Sequence, residues 1–218
     1  MIQPVCWIVG ASDFDGEGFC PQKGDFIIAA DGGYAHLQRT GADPDMVLGD
    51  FDSLGRIPQH RCIVRHPVVK DDPDSMLAVR TALDRGYRSF LLFGCLGGQR
   101  LDHTLANIQV LAFLAERRAR GALVGGGRIV TAVKDGRLDF DAAERGYLSV
   151  FCHGDRAEGV NLRGLKYELH DAVLDCRTPL GLSNEFLGLP ASAEVGRGTL
   201  ILTWEGGLSR VRRLVTVR

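Results

Sequence analysis

The first half of the chain alternates short apolar runs with segments of helical pattern, and this alternation is its strongest constraint on the fold. The apolar runs predict five strands, over residues 5–9, 26–30, 46–48, 62–64 and 90–93. Between and after them, helices are predicted over residues 33–40, 74–85 and 102–118. The third helix carries an apolar stripe at positions 101, 105, 108, 111, 112 and 115. Strands that alternate with helices form βαβ units, so we predict a mostly parallel sheet covered on both faces.

The pattern changes after about residue 125. Strand-like segments follow at residues 129–133, 148–151, 165–169, 199–204 and 211–217, with no helical pattern and with a hairpin turn predicted at 134–137. Such a series predicts an all-β module, either a sandwich or a small barrel. We therefore predict an α/β N-terminal domain with a mostly parallel sheet over residues 1–138. A smaller all-β, sandwich-like C-terminal domain is predicted over residues 139–218.

Composition narrows the class of protein. The 218 residues are 45% hydrophobic and 24% charged, which is ordinary for a globular protein, and the net charge of −1 argues against a nucleic-acid partner. The six cysteines lie far apart, which favours reduced, mostly buried thiols over disulfides or a zinc site. The sequence has no signal-peptide pattern and no apolar run long enough to cross a membrane. We expect a cytoplasmic protein with no membrane partner.

Two carboxylates, Asp50 and Asp52, follow directly on the apolar run at residues 46–48. Side chains two residues apart in an extended segment point to the same side, so the two charges repel unless a cation lies between them. Mg²⁺, held by carboxylate oxygens and by the phosphates of a substrate, would resolve this repulsion. The alternative is an Asp-rich turn that binds nothing.

A second motif, Asp31-Gly32-Gly33, follows the strand predicted at 26–30. The two glycines allow the backbone to approach a ligand closely, and Asp31 can accept a hydroxyl proton in a hydrogen bond or help to hold a metal. The motif can equally be a tight turn into a helix that Asp31 caps.

The third motif is the acidic segment over residues 70–74. Asp72 as N-cap with Pro73 in the first helical position is a sound helix start. Lys70 and Asp71 are not explained by capping. A lysine beside acids at a strand-to-helix junction suits a phosphate contact near a metal site.

The fourth motif is the glycine-rich segment over residues 94–103. Gly97 and Gly98, placed between a strand and a helix, can bind an anion through their backbone N–H groups, and Arg100 can donate two hydrogen bonds to a phosphate. The spacing is neither that of a Walker A loop nor that of a dinucleotide fingerprint. Asp102 can also be read as the helix N-cap, and His103 as a helix-surface residue. Four such motifs at strand ends of one sheet point to a metal–phosphate substrate.

In this order, the motifs resemble those of the thiamine pyrophosphokinase family. The family's D-G-G turn, its P-D-x-x-x-G-D-F-D-S segment, its K-D-x-T-D helix start and its glycine-rich R-x-D-H helix start correspond to residues 31–33, 44–53, 70–74 and 97–103. In the β module, residues 159–160, 164–167 and 182–185 resemble the family's thiamine-binding half. Two departures occur, because Pro73 replaces the usual Thr and Gln99 lengthens the glycine-rich loop by one residue.

The resemblance implies a reaction and a set of roles. The family transfers a pyrophosphoryl group from ATP to the hydroxyl of thiamine, giving thiamine diphosphate and AMP. By resemblance, Mg²⁺ is held by Asp50, Asp52 and Asp71. Asp31, Asp74 and Asp102 bind substrate or phosphate, or serve as the base. The remaining matched positions are binding residues: Gly32, Gly33, Lys70, Gly97, Gly98 and Arg100.

In the β module, the resemblance assigns thiamine binding to Ser183 and Asn184. Trp204 is a candidate for stacking on the thiamine ring, with a place in the core as the alternative. The family is dimeric, so the resemblance implies a homodimer whose site lies between one α/β half and the partner's β half. Two other functions remain open: a Mg²⁺-dependent kinase of another small alcohol, and a non-catalytic sensor that binds nucleotide or thiamine.

Overall fold

The computed structural model describes residues 3–50, 59–65 and 72–216. The first part of the chain forms β1 (Cys6–Val9), β2 (Phe26–Ala30), α1 (Gly33–Thr40), β3 (Met46–Gly49), β4 (Ile63–Arg65), α2 (Asp74–Asp84), β5 (Ser89–Phe93), α3 (Leu101–Glu116) and β6 (Arg120–Gly125). The five strands and three helices predicted here are confirmed to within two residues at each end. The β6 strand was not predicted.

The strands of this part lie in the order β4-β3-β2-β1-β5-β6, and every neighbouring pair is parallel. The chain therefore builds outward from β1 in both directions, as in doubly wound sheets. Both β1 and β5 are buried at every residue, which explains why each reads as a continuous apolar run. The predicted α/β fold is confirmed.

Two cores lie on opposite faces of this sheet. Alternate residues of β1 separate between them: Trp7 packs in one core, which also contains Leu37 of α1, while Ile8 packs in the other with residues of α2 and α3. This alternation follows from the two-residue repeat of a strand. Each such side chain, when fully buried, contributes about 1.5–3 kcal/mol to folding.

The second part of the chain consists mainly of long antiparallel strands. Its elements are β7 (Arg128–Phe140), β8 (Tyr147–Arg163), β9 (Leu169–Asp175), β10 (Gly181–Glu185), β11 (Ala191–Glu205), a short 3-10 helix (Leu208–Arg210) and α4 (Val211–Thr216). The strand β7 pairs with β6 on one side and with β11 on the other, so both parts share one continuous sheet. The predicted all-β C-terminal module is confirmed, and the division at 138/139 stays a prediction.

Three local predictions in this part are wrong. Residues 134–137 belong to β7 rather than to a hairpin turn: Asp135 takes φ +44° at a bulge, where its carboxylate accepts the Gly198 N–H at 2.8 Å. At 165–169 only a bridge at Leu165 and the first residue of β9 form, in place of a strand.

The predicted last strand is the helix α4. Val211 and Val215 are buried and lie one helical turn apart. Over so few residues, the apolar positions 211, 214 and 215 of a helix are hard to tell from the alternating pattern of a strand, which explains the error.

No helix within residues 3–50, 59–65 and 72–216 is long and apolar enough to cross a membrane. All six cysteines are unpaired thiols, but only Cys6 and Cys95 are buried; Cys62 and Cys152 are partly buried and Cys20 and Cys176 are exposed, so the expectation of mostly buried thiols is wrong.

Candidate active site

The carboxyl ends of β1, β2, β3 and β5 meet at one edge of the sheet. The strand order reverses between β1 and β5, and the loops that follow these two strands diverge there and leave a crevice. A cavity of about 550 Å³ occupies it, and its walls include Ser12, Asp31, Asp72, Asp74, Arg100 and His103. Three of the four sequence motifs thus contribute described residues to one cavity.

The floor of this cavity is a close crossing of two backbones. The Gly10 N–H donates to the Phe93 carbonyl and the Ser12 N–H to the Gly94 carbonyl, each at 2.8 Å. A Cβ on Gly94 would lie 2.3 Å from the Gly10 oxygen, and Gly94 has φ +59°, so only glycine fits there. The segment from Gly10 to Ser12 was not predicted from the sequence to belong to the site. The one available signal was a glycine directly after an apolar run.

The Asp-Gly-Gly motif forms the turn between β2 and α1. Asp31 adopts a left-handed conformation, with φ +48°, and its N–H donates to the Leu48 carbonyl at 2.7 Å. A Cβ on Gly33 would lie 1.8 Å from the Val9 oxygen, so this glycine lets α1 pack directly on β1. The N-cap residue is Gly32, without a side-chain cap, so Asp31 does not cap the helix. Asp31 lines the cavity instead.

The acidic segment leads into α2, but the helix N-cap lies one residue later than predicted. Pro73 is the N-cap residue and Asp74 the first helical residue, so the interpretation of Asp72 as N-cap is wrong. The Asp72 carboxylate pairs with Arg80, with Oδ2 3.0 Å from Nε. Arg80 lies nearly two turns into α2, so the Asp72 carboxylate forms an ion pair with the helix instead of capping its start. Asp72 and Asp74 both line the cavity.

The predicted metal ligands are only partly described. Asp50 directly follows β3, beside the Asp31 turn, since a Cβ on Gly49 would lie 3.1 Å from the Asp31 Cα. Asp52, Lys70 and Asp71 lie outside the described residues. Within the described parts of the chain, no group of three or more His, Cys, Asp or Glu side chains is arranged to hold a metal ion. The assignment of Mg²⁺ to Asp50, Asp52 and Asp71 stays a prediction.

The glycine-rich loop is held by two side chains. The Gly97 N–H donates to Thr104 Oγ1 at 3.2 Å, and the Gly98 N–H donates to Asp13 Oδ2 at 3.0 Å. Both glycines have positive φ, of 83° and 80°. In this structure, therefore, the N–H groups proposed to bind an anion are bonded to oxygens of the protein.

Arg100 and Asp102 form an exposed ion pair at the mouth of the cavity. Arg100 Nε lies 2.9 Å from Asp102 Oδ1 and Nη2 lies 2.5 Å from Oδ2. The hydrogen bonds from Arg100 lower the pKa of Asp102 to about 2, so its carboxylate is ionised near neutral pH. The helix begins at Leu101 with Arg100 as N-cap, so the alternative reading of Asp102 as N-cap is wrong.

A buried amide fastens the helices behind the cavity. Asn107 of α3 donates from Nδ2 to the Cys95 carbonyl at 2.7 Å and accepts the Ser75 hydroxyl at 2.6 Å. It therefore ties α2, α3 and the glycine-rich loop together. Asn107 was not predicted from the sequence to belong to the site, although a polar residue on the buried side of an apolar helix was a usable signal. His103, by contrast, is exposed as predicted, and it lines the cavity.

The residues assigned to thiamine lie on the β module. Ser183 is exposed, with φ +55°, and its N–H donates to Ser149 Oγ at 3.1 Å. Asn184 is 3% exposed; its Oδ1 accepts the Tyr167 N–H and its Nδ2 donates to the Tyr167 carbonyl. Trp204 is 5% exposed and packs edge-on against Phe140, in the core position given as the alternative.

These residues are far from the acids of the same chain. In the sheet, β10, which carries Ser183 and Asn184, lies six strand-to-strand steps from β1. At about 4.8 Å a step, the path along the sheet is roughly 29 Å. Within one chain, the structure brings the α/β motifs together but leaves the β-module residues apart from them.

Carboxylates, a glycine-rich loop and an arginine around one cavity at the switch point of a doubly wound sheet define an enzyme that transfers phosphoryl groups. Residues 21–121 match the family model described as thiamin pyrophosphokinase, catalytic domain, and residues 137–198 match the thiamin pyrophosphokinase vitamin B1 binding domain. Together they span most of the chain, which belongs to the thiamin pyrophosphokinase family. No curated protein matches the sequence significantly.

Solved structures share the fold over nearly the whole chain. A thiamine pyrophosphokinase from Bacillus subtilis has a TM-score of 0.81 at 24% identity, covering 93% of this chain and 99% of the other. The protein from Geobacillus thermodenitrificans gives 0.77 at 24%, covering 93% and 97%. Thiamin pyrophosphokinase from Candida albicans gives 0.72 at 16%, covering 93% and 89%. At these identities the likeness shows a common fold.

Proposed function

We propose that this thiamine diphosphokinase transfers the pyrophosphoryl group of ATP to thiamine with the help of Mg²⁺. The hydroxyl oxygen of thiamine forms a bond to the β-phosphorus, and the bond from that phosphorus to the oxygen bridging the α-phosphorus breaks. AMP leaves with the electron pair, and the hydroxyl proton passes to a carboxylate. The observation that carries the proposal is the convergence of Asp31, Asp74 and Arg100, from three separate loops, on one cavity.

The donor set suits a hard divalent cation. Carboxylate oxygens are the ligands that Mg²⁺ prefers, and Asp50 supplies a carboxylate at the end of β3. With the two acids outside the described residues, Asp52 and Asp71, it would hold the ion. When bound, Mg²⁺ neutralises charge on the phosphate oxygens.

Arg100 binds a transferring phosphate at the mouth of the cavity. Asp102 engages Nε and Nη2 of its guanidinium and so holds the planar group in one orientation. Because the guanidinium is already held in place, the Arg100 side chain loses less conformational entropy when it binds a phosphate. Asp102 itself is a poor base, because its pKa is about 2 and basicity governs general-base efficiency. Asp31 or Asp74, inside the cavity, is the better acceptor of the hydroxyl proton.

Thiamine reaches this cavity from the β module of a second chain. Six strand steps separate β10 from β1 within a chain, which is too far for one thiamine to contact both Ser183 and the acids. On α3, Leu101 and Leu105 are 69% and 55% exposed beside the cavity, although they belong to the predicted apolar stripe. The β module also exposes large apolar side chains near Ser183: Tyr147, Tyr167, Leu180, Leu182, Leu187 and Leu189.

These two apolar surfaces fit a shared interface. Exposed apolar patches mark association sites, and a two-fold axis would bring α3 of each chain against the β module of the other. In such a homodimer Ser183, which is exposed and has a left-handed backbone conformation, contacts thiamine. Asn184 acts beside it by fixing the backbone of Tyr167.

Mass spectrometry of one reaction tests the function. The protein, ATP, Mg²⁺ and thiamine should yield thiamine diphosphate and AMP in equal amounts. A kinase of another small alcohol would release ADP in a substrate panel, and a sensor would bind thiamine or nucleotide without turnover. Either result would overturn the proposal.

A further inference from the structure

Two further cavities join each other where α3, β7 and α4 meet. The basic cavity, of about 270 Å³, lies between the end of α3 and the middle of β7, and its charged walls are Arg118, Arg120, Lys134 and Arg137. The aromatic cavity, of about 190 Å³, lies between β7, β11 and α4, and its walls include Phe140, Glu144 and Trp204. A single ligand could extend through both, because four residues line both cavities: Arg120, Arg137, Leu138 and Leu214.

The basic cavity lies at the other end of the parallel strands from the acids. Arg120, the first residue of β6, pairs with Ser89, the first residue of β5, whereas the acid-lined cavity begins at Gly94, directly after β5. A rise of about 3.3 Å per residue puts these two levels roughly 16 Å apart. Among the described residues, neither new cavity shares a wall with the acid-lined one.

The aromatic cavity is also separate from the contact proposed for thiamine. Leu148 pairs with Asn184 on one side and with Trp204 on the other, so these three buried side chains lie on one face of the sheet. Ser183 is exposed and, as the neighbour of Asn184 in a strand, points to the other face. A ligand against Trp204 is therefore not the thiamine that contacts Ser183.

The basic cavity has an excess of positive charge. All four of its charged walls are cations, and no carboxylate from residues 3–50, 59–65 or 72–216 lines it. Arg137 is paired with Asp139 at 2.7 Å, but Arg118, Arg120 and Lys134 form no salt bridge within the described parts of the chain. The C-terminal dipole of α3 favours Arg118, whereas Arg120 and Lys134 lie on strands, which offer no such compensation. Like charges gathered in this way favour a bound anion, and guanidinium groups suit a phosphate.

The aromatic cavity supplies a different chemistry. Phe140 and Trp204 pack edge-on, with ring centroids 5.3 Å apart. Burial raises the pKa of Glu144, and the guanidinium of Arg210, with Nη2 3.0 Å from Oε1, offsets the rise only in part. The buried Trp204 indole N–H lies near enough to Glu144 to oppose that rise, yet it forms no hydrogen bond of normal geometry with any described residue. A cation beside Glu144 and an acceptor for the indole N–H would both be favourable.

We propose that the two cavities together bind an organic diphosphate whose heteroaromatic ring carries a positive charge. The diphosphate lies in the basic cavity, and the ring lies in the aromatic cavity against Trp204. A ring nitrogen accepts the indole N–H, and the positive charge faces Glu144. Thiamine diphosphate, the product of the proposed function, belongs to this class of ligand. The inference goes beyond that function, because the site is distant from the acids and takes no part in the transfer.

Calorimetry in excess EDTA tests the site. Chelation removes the Mg²⁺ on which phosphate binding among the acids is proposed to depend, whereas cationic side chains need no metal. Thiamine diphosphate should bind once per chain. It should bind at least about fivefold more tightly than ADP, which joins a diphosphate to an uncharged base. Arg120→Gln combined with Lys134→Gln should weaken thiamine diphosphate binding by about thirtyfold, because each change removes a charge-assisted hydrogen bond.

The matched control is Lys23→Gln combined with Arg197→Gln, which removes two positive charges at exposed positions outside both cavities. It should change the affinity by less than about twofold. Arg100→Gln, in the candidate active site, should also leave binding in EDTA unchanged. The variant with Arg120→Gln and Lys134→Gln should keep wild-type kcat and KM.

Glu144→Gln tests the ring end of the site. It should weaken thiamine diphosphate by about fivefold and inorganic pyrophosphate by less than about twofold. If this variant folds poorly, the preference of the wild type for thiamine diphosphate over ADP tests the same contact. No binding in EDTA, equal losses in the control pair, a loss in Arg100→Gln instead, or equal affinity for thiamine diphosphate and ADP would each overturn the site.

The two proposals fail separately. A protein that makes thiamine diphosphate but binds it independently of Arg120 and Lys134 keeps the function and loses the second site. A protein that binds thiamine diphosphate through these two residues but makes none keeps the second site and loses the function.

Discussion

Arg212, six residues from the end of the chain, forms a two-pronged ion pair with Asp25, which precedes β2. Arg212 Nη1 lies 2.5 Å from Asp25 Oδ2 and Nη2 lies 2.9 Å from Oδ1. The Asp25 side chain is only 2% exposed, and it also accepts the Trp7 indole N–H at 2.8 Å and the Val5 N–H at 3.0 Å. This network fastens α4 to the strand at the centre of the sheet.

Arg212→Ala should therefore destabilise the protein by about 2–3 kcal/mol, because it leaves a buried carboxylate without its cation. Urea unfolding followed by circular dichroism measures this change. Arg213→Ala, at the exposed neighbouring position, is the matched control and should stay within about 0.5 kcal/mol of the wild type. Equal effects of the two variants would show that the ion pair contributes nothing of its own.

The same ion pair predicts a dependence of stability on pH. Burial raises the pKa of Asp25, but the hydrogen bonds from Arg212, Gln22, Val5 and Trp7 outweigh it, and the net shift is downward. A lowered pKa stabilises the folded state above the unfolded value, near 3.9, and this stabilisation is lost as the pH falls through the folded value. The stability difference between wild type and Arg212→Ala should thus be constant from about pH 5 to 7 and shrink below about pH 4. A difference that stays constant down to pH 2 would contradict the assignment.

Arg100→Lys should lower kcat/KM for ATP by about a hundredfold, because an ammonium group cannot reproduce the planar fork that the phosphate contact requires. The KM for thiamine should change by less than about threefold, since thiamine binds elsewhere. The control is Arg128→Lys, which makes the same change in the exposed ion pair with Glu205. It should leave kcat/KM for ATP and the KM for thiamine unchanged. A loss shared equally by both substrates would place Arg100 outside the phosphate site.

Asp50→Asn and Asp52→Asn should each reduce kcat by about a hundredfold or more while leaving the fold intact, because each removes a carboxylate from the proposed Mg²⁺ site. Excess EDTA should abolish turnover, and added Mg²⁺ should restore it. Asp84→Asn, at an exposed position near the end of α2, is the control. Near wild-type turnover in both variants would mean that these acids only shape a turn.

Mixed dimers test the shared site. Ser183→Ala combined with Asn184→Ala should raise the KM for thiamine far more than that for ATP, and Asp50→Asn should be inactive. At a thiamine concentration well below the raised KM, equal mixing of the two impaired variants should give about a quarter of wild-type activity, because half of the dimers are hybrid and each hybrid has one intact site. Size-exclusion chromatography of differently tagged chains confirms that hybrids form. Hybrids without activity would rule out the shared geometry.

Local patterns were enough to predict most elements of the α/β half. Its strands are buried on both faces and form continuous apolar runs, whereas its helices have an apolar repeat of about 3.6 residues. Each element can therefore be predicted from its own residues. The ordered motifs also identified the family. The secondary-structure prediction was wrong in two short segments. In Val211–Thr216 the apolar positions fit both a helix and a strand, and at Asp135 a bulge within a strand has the residues of a turn. In both places, packing against distant strands decided the conformation.

The site required the order of the strands, which no local pattern contains. Only the tertiary structure places Gly10 against Gly94, 84 positions away, and Ser75 against Asn107. It also pairs Asp102 with Arg100, where the sequence offered a cap instead. The reason is physical: short-range preferences act within a turn or a strand, whereas a cavity forms where loops from separate strands end at one edge of a sheet.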